Sequence, residues 1–281
     1  MGRIFIITSA AAVAVGTIVL VAVPSTRTKA TRLFAQVGFA DEPLRAPEVV
    51  DLVVDTSDGS GGTRDHVDQT LSEVLPWTCD APGSAVRITI QGARAMDARV
   101  IATVVSAAPT RTGSTKARIE HTKRCVATNR ELIAKAMEPV FAPHPPLRNS
   151  PIAETISWVA LFSLPPGVAP GTARRIILIT DAREVSQEFG DFECGTLPTP
   201  ERFIALLRAH GVLAPTSLEH IRLHFTFTEP KAVDRKRCPP MTVARIGGIK
   251  TLWVAAANNA GALEVTFITG AITLRPQEDT Q

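Results

Sequence analysis

Three short stretches of this chain gather oxygen-bearing side chains in a way that could do chemistry. They are Asp55-Thr56-Ser57-Asp58-Gly59-Ser60, Asn149-Ser150-Pro151-Ile152 and Thr180-Asp181. Two carboxylates and several hydroxyls are hard ligands, suited to Mg²⁺, Mn²⁺ or Ca²⁺. A mostly neutral hydroxyl set leaves such an ion electron-poor, so it seeks a further carboxylate, which a partner protein can supply. That chemistry is binding and not turnover. The plainer alternative is that Asp55 and Asp181 only cap helices and satisfy loop amides.

Other chemistries lack their parts. The run Asp58-Gly59-Ser60-Gly61-Gly62-Thr63 has no Lys to reach a phosphate, so it is not a phosphate loop. A haloacid-dehalogenase-like phosphotransferase needs a second Asp two places after the first, where Ser57 stands. No G-x-S-x-G elbow is present for a serine hydrolase. His220 and His224 are four apart on an expected strand, which separates them by about 13 Å and argues against a shared metal. With net charge +3, no Tyr and three Trp, the chain offers neither a basic stripe nor stacking platforms for nucleic acid.

The elements that must position those residues alternate along the chain. Strands are expected at Val49–Val54, Ala85–Gln91, Ala98–Ser106, Arg174–Thr180, Ile221–Thr228 and Leu263–Thr269. Helices are expected at Thr63–Leu75, within Arg118–Val140, and at Pro151–Ser163, Thr199–His210 and Thr242–Ala260. Thr199 suits an N-cap and Gly211 a stop, while Gly247 and Gly248 weaken the start of the last helix. Such alternation implies an α/β domain with a doubly wound, mostly parallel sheet and one antiparallel edge strand. Ligands of such sheets bind beyond the carboxyl ends of the strands, which is where Asp55 and Asp181 fall.

Ile4–Val23 is a charge-free apolar run of about 20 residues, long enough to span a bilayer as a helix. The expected organisation is an N-terminal hydrophobic helix at 1–24 (transmembrane anchor or signal peptide), a linker at 25–47, the domain at 48–270 and a tail at 271–281. Arg27, Lys29 and Arg32 taken alone would keep the domain cytoplasmic. Four cysteines, none in a metal-ligand spacing, argue for an extracytoplasmic domain, membrane-anchored or secreted.

At the strand ends the chain resembles the von Willebrand factor A family. VVDLVVDTSDGS resembles that family's first strand and its D-x-S-x-S metal motif. NSPIAETI is similar to its T-P-L loop and following helix, and RIILITDA to its strand ending in T-D-G. GIKTLWVAAANNAGALEVTFI is similar to its closing helix and strand. The resemblance runs from about Glu48 to Thr269 and implies a metal-ion-dependent adhesion site on Asp55, Ser57, Ser150 and Asp181, loaded with Mg²⁺ or Mn²⁺. Two departures stand out: Gly59 occupies the motif's third position, and Ala182 follows Asp181 where the family has Gly.

The implied function is a protein-binding module, not an enzyme, taking a partner that presents an acidic residue. A metal-free scaffold in a membrane assembly is the second reading, and a hydrolase or phosphotransferase on a similar sheet the third. The loop 229–240, with Lys231, Arg235, Lys236 and Arg237, would rim the same edge and steer an acidic partner. With the strands of the resembled fold pointing up, Cys79 and Cys125 fall at the bottom and Cys194 and Cys238 at the top. The resemblance therefore implies the pairs Cys79–Cys125 and Cys194–Cys238.

Overall fold

The computed structural model describes residues 45–57, 64–107, 115–142, 149–227 and 241–268. The expected N-terminal helix at 4–23, the third motif position at Gly59 and the basic loop with Cys238 lie outside these residues. No helix among the described residues is long and apolar enough to cross a membrane.

Strand β1 (Glu48–Val54) is buried along its whole length. It is flanked by β2 (Ala85–Ile90) and β4 (Ala173–Thr180), both parallel to it. Beyond β2 lies β3 (Arg99–Val105), antiparallel. Beyond β4 lie β7 (Ile221–Phe227) and then β8 (Glu264–Ile268), both parallel. The sheet order is β3-β2-β1-β4-β7-β8, and a separate hairpin, β5 (Val185–Ser186) with β6 (Gly190–Asp191), follows β4. This is the expected α/β architecture, mostly parallel with one antiparallel strand.

Because successive side chains of a strand point to opposite faces, a strand covered on both sides reads as a continuous apolar run. Val50, Leu52 and Val54 face helices α1 (Arg64–Cys79) and α2 (Thr115–Met137), meeting Leu71, Leu75 and Ile133. Val53, Ile176, Leu178 and Phe225 face the other layer. That layer contains α3 (Ile152–Ala160), α4 (Pro200–Ala209) and α5 (Val243–Asn259), and its core includes Ile156, Phe203 and Trp253.

The helix ends follow local chemistry. The Thr199 hydroxyl accepts the Arg202 amide at 3.3 Å, and Thr242 accepts the Arg245 amide at 3.2 Å. Helix α1 ends later than the sequence expectation, whereas α5 keeps its expected span despite two glycines. Helix α1 continues past Pro76 to Cys79. Its last turn is held from outside, since Thr78 and Cys79 are buried and Cys79 is bonded to Cys125 of α2. Helix α5 runs through both glycines. A Cβ on Gly248 would come within 3.1 Å of Leu197, so the glycine serves close packing there.

The Cys79–Cys125 disulfide is present, with Cα atoms 5.8 Å apart. Cys194 is also disulfide-bonded, while Cys238, its expected partner, lies outside the described residues.

At the amino ends of the strands the sheet buries charge. Asp51 accepts Arg87 Nε at 2.6 Å and Arg174 Nη2 at 2.7 Å. The same two arginines reach the carbonyls of Ser163, Ala160 and Val159, and so cap the end of α3. Asp51 thus orients two cations that a helix carboxyl end favours.

Candidate strand-end site

Asp55 directly follows β1, and its amide donates to the carbonyl of Ile179 on β4 at 3.1 Å. The sheet therefore continues far enough to set this carboxylate beside Thr180. Asp55 is 1% exposed. Its Oδ1 accepts the Ser57 amide at 2.9 Å. Its Oδ2 accepts two hydroxyls, Ser150 Oγ and Thr180 Oγ1, each at 2.8 Å. Ser150 Oγ in turn accepts Gln91 Nε2 at 3.0 Å, and Thr180 Oγ1 accepts the Ala182 amide at 3.1 Å. Three segments thus meet on one buried carboxylate, the ends of β1 and β4 and the approach to α3, and the end of β2 joins them through the Gln91–Ser150 bond.

Ser150 is held there by backbone pairing with Val185, in both directions, at 2.9 and 3.0 Å. Glu184 reinforces this join, because its Oε2 accepts the Ala153 amide in the first turn of α3 at 2.8 Å. Burial pushes the Glu184 carboxyl up to about 8, against the stabilising Ala153 amide.

Asp181 has a different neighbourhood. Its Oδ1 accepts the backbone amide of Arg183 at 3.0 Å and its Oδ2 accepts Arg183 Nε at 2.5 Å. Nη2 of the same guanidinium also pairs with Oδ2. From the other side, Glu193 Oε1 accepts Arg183 Nη1 at 3.2 Å. Burial raises the Asp181 carboxyl to about 6; Arg183 opposes that rise, and the Asp55 charge adds to it. The turn itself depends on Ala182, which has φ +60° and is fully buried. Trp253 Nε1 donates to the Ala182 carbonyl at 2.8 Å and fixes this turn to the core.

Glu193 is placed by the β5–β6 hairpin. Asp191 Oδ1 accepts the amides of Glu193 and Cys194 at 2.9 and 2.7 Å. Arg245 Nη2 bonds the carbonyls of Phe192, Glu193 and Gly195. The atoms of Asp191, Glu193 and Cys194 cluster within 4.8 Å. They do not make a metal centre, because the Cys194 sulfur is in a disulfide and Glu193 neutralises Arg183.

The four residues expected from sequence end close in the fold. Asp55 and Ser150 are directly bonded, Ser57 turns back on Asp55, and Asp181 follows Thr180 on the neighbouring strand. Sequence reasoning missed Gln91, Arg183, Glu184 and Glu193. Arg183 had a readable signal, two residues after Asp181 in ITDAREV; Gln91 and Glu193 had none.

The described residues of this arrangement do not fit a divalent ion. Every carboxylate oxygen of Asp55 and Asp181 already accepts from the protein, the Ser150 hydroxyl and the neighbouring Thr180 hydroxyl each donate to Asp55 and accept an N–H, and a guanidinium supplies the positive charge. His220 and His224 do not share a site. His220 is exposed in a turn at φ +66°, whereas His224 is buried on β7, its Nδ1 2.5 Å from Thr266 Oγ1. Burial and the cations Arg175 and Arg222 depress His224 to about 3, so it stays neutral. In comparisons with known proteins, the chain matches no family model and no curated protein.

Proposed function

We propose that this chain is a von Willebrand factor A-like protein-binding module, membrane-anchored or secreted, with its domain outside the cytoplasm. The observation that carries the reading is the convergence of three chain segments on Asp55, with a fourth joined through Ser150 and Gln91, at the carboxyl ends of β1 and β4, where open α/β sheets bind ligands. The one antiparallel strand of the six-stranded sheet, β3, ahead of the long helix α2 supports the same reading. So does the Cys79–Cys125 disulfide, which suits an oxidising compartment. A hydrolase or phosphotransferase would need Asp55 open to attack. The burial of its carboxylate and the three protein donors on it favour a positioning role instead.

The test is site-directed photo-crosslinking in the native cell. A photoreactive residue at Thr56, beside the site, should give a discrete protein adduct. The same residue at Arg45, at the opposite end of β1, should not give that adduct. Absence of a Thr56-specific adduct would reject the module, and turnover of a phosphate ester that Asp55→Asn abolishes would establish the enzymatic alternative. Labelling of the intact cell with a membrane-impermeant reagent tests the compartment independently.

A further inference from the structure

We infer that the strand-end site works without a metal ion, with the Arg183 guanidinium as its resident cation. The inference rests on the module reading for its meaning but not for its test. A divalent ion at the end of β1 and β4 would need carboxylate and hydroxyl oxygens with lone pairs turned toward one point. Here each of the four carboxylate oxygens of Asp55 and Asp181 faces at least one protein donor, and the Ser150 hydroxyl is spent on Asp55 and Gln91. Asp181 is held on both oxygens by one residue, through the Arg183 amide at 3.0 Å and Nε at 2.5 Å. Asp55 is held by Ser57, Ser150 and Thr180.

Arg183 is not a surface side chain that an ion could displace cheaply. It is 5% exposed, and Glu193 grips it from the far side at 3.2 Å. Glu193 is itself fixed, because Asp191 caps its amide and Arg245 binds the carbonyls around it. Expelling Arg183 would leave Glu193 buried without its cation, and inserting an ion beside it would bring like charges together in a site of low dielectric. The guanidinium is planar and always protonated, so it provides a fixed charge that neither a chelator nor an ordinary change of pH removes. The Ala182 turn and the hairpin are therefore parts of the site, since they bring Arg183 and Glu193 into it.

The test uses the full chain, stripped with chelator and titrated with Mn²⁺ and Mg²⁺, read by thermal melting and by Mn²⁺ electron paramagnetic resonance. Wild type should bind no Mn²⁺ at this site and should not shift in Tm. Arg183→Ala should gain a site. Mn²⁺ at about a hundred times its dissociation constant then raises Tm by roughly 5–10 °C, and adding Asp181→Asn abolishes the gain. Arg183→Gln, which keeps the stem and a donor, replaces the alanine variant if that one does not fold. Wild-type Mn²⁺ binding that Asp181→Asn removes would overturn the inference. A folded Arg183 variant that still ignores Mn²⁺ would overturn the role of Arg183 as the stand-in cation. Neither result depends on finding the partner, so failure here is distinguishable from failure of the crosslinking experiment.

Discussion

Arg183 turns back on Asp181 across a single intervening residue, donating to one carboxylate oxygen through its amide and to the other through its side chain, at 3.0 and 2.5 Å. A residue pair this close in sequence is cheap to bring together, because only the Ala182 turn must be ordered. Its burial makes the pair consequential. Asp181 and Arg183 are 2% and 5% exposed, so neither charge can fall back on water.

Removing one partner should therefore hurt more than removing a peripheral one. Asp181→Ala leaves Arg183 buried with only part of its counter-charge and is expected to cost about 3–5 kcal/mol. Glu193→Gln keeps the Asp181 contacts and an oxygen acceptor, and should cost clearly less. Urea unfolding of both variants decides the order, and equal losses would contradict it.

Glu184 gives the protein a pH dependence of known sign. Its carboxyl lies at about 8 in the fold against an ordinary value of 4.5. Between those values the folded protein holds a proton that the unfolded chain has released. The stabilising contribution is complete below about pH 4.5 and is lost as pH rises through about 8. Asp181, raised to about 6 from 3.8, acts in the same direction over a lower window. Glu184→Gln mimics the protonated form, so its Tm should fall less than that of wild type as pH rises from about 4.5 to about 8. Parallel Tm–pH curves for the two proteins would refute the assignment.

The Cys79–Cys125 bridge closes a loop with a sequence separation of 46. On the loop-entropy estimate it contributes about 4 kcal/mol by restricting the unfolded chain. The double variant Cys79→Ala/Cys125→Ala should lose most of that in chemical denaturation. A loss below about 1 kcal/mol would mean that the α1–α2 contact is already ordered in the unfolded ensemble.

Ala182 sits at φ +60° with no exposed surface. A β-branched side chain is strongly disfavoured there and the added methyls would have to enter a fully buried site, so Ala182→Val should destabilise by about 2–4 kcal/mol. Ala182→Gly suits the backbone but gives up a buried methyl and adds unfolded-state entropy. Its net change should stay within about 1 kcal/mol of zero. Calorimetry showing the valine variant as stable as the glycine variant would mean that the turn is not left-handed.

The elements were legible in the sequence because their signals are local. The run VVDLVV is apolar on both alternating faces, as a doubly covered strand must be, even though Asp51 interrupts it. Thr199 and Thr242 announce helix starts through a hydroxyl that needs only the next turn. The hairpin β5–β6 was not legible, because two-residue strands carry no periodicity. The continuation of α1 past Pro76 was not legible either, because the disulfide and core that hold Cys79 are remote in sequence.

Sequence by itself determined the alternation of strands and helices, and with it the end of the sheet on which Asp55, Ser57, Ser150 and Asp181 must gather. Those follow from short-range sterics and from which faces are apolar. Only the tertiary structure decided what those oxygens bind. Gln91 reaches Ser150 across 59 residues, Ser150 reaches Asp55 across 95, and Thr180 reaches Asp55 across 125. Each contact exists because parallel pairing lines up strand ends that the chain keeps far apart. The same holds for charge. A carboxylate in a motif is open to an ion until a buried cation is packed against it, and the packing of Arg183 between Asp181 and Glu193 arises from a left-handed turn and a hairpin that no spacing rule encodes.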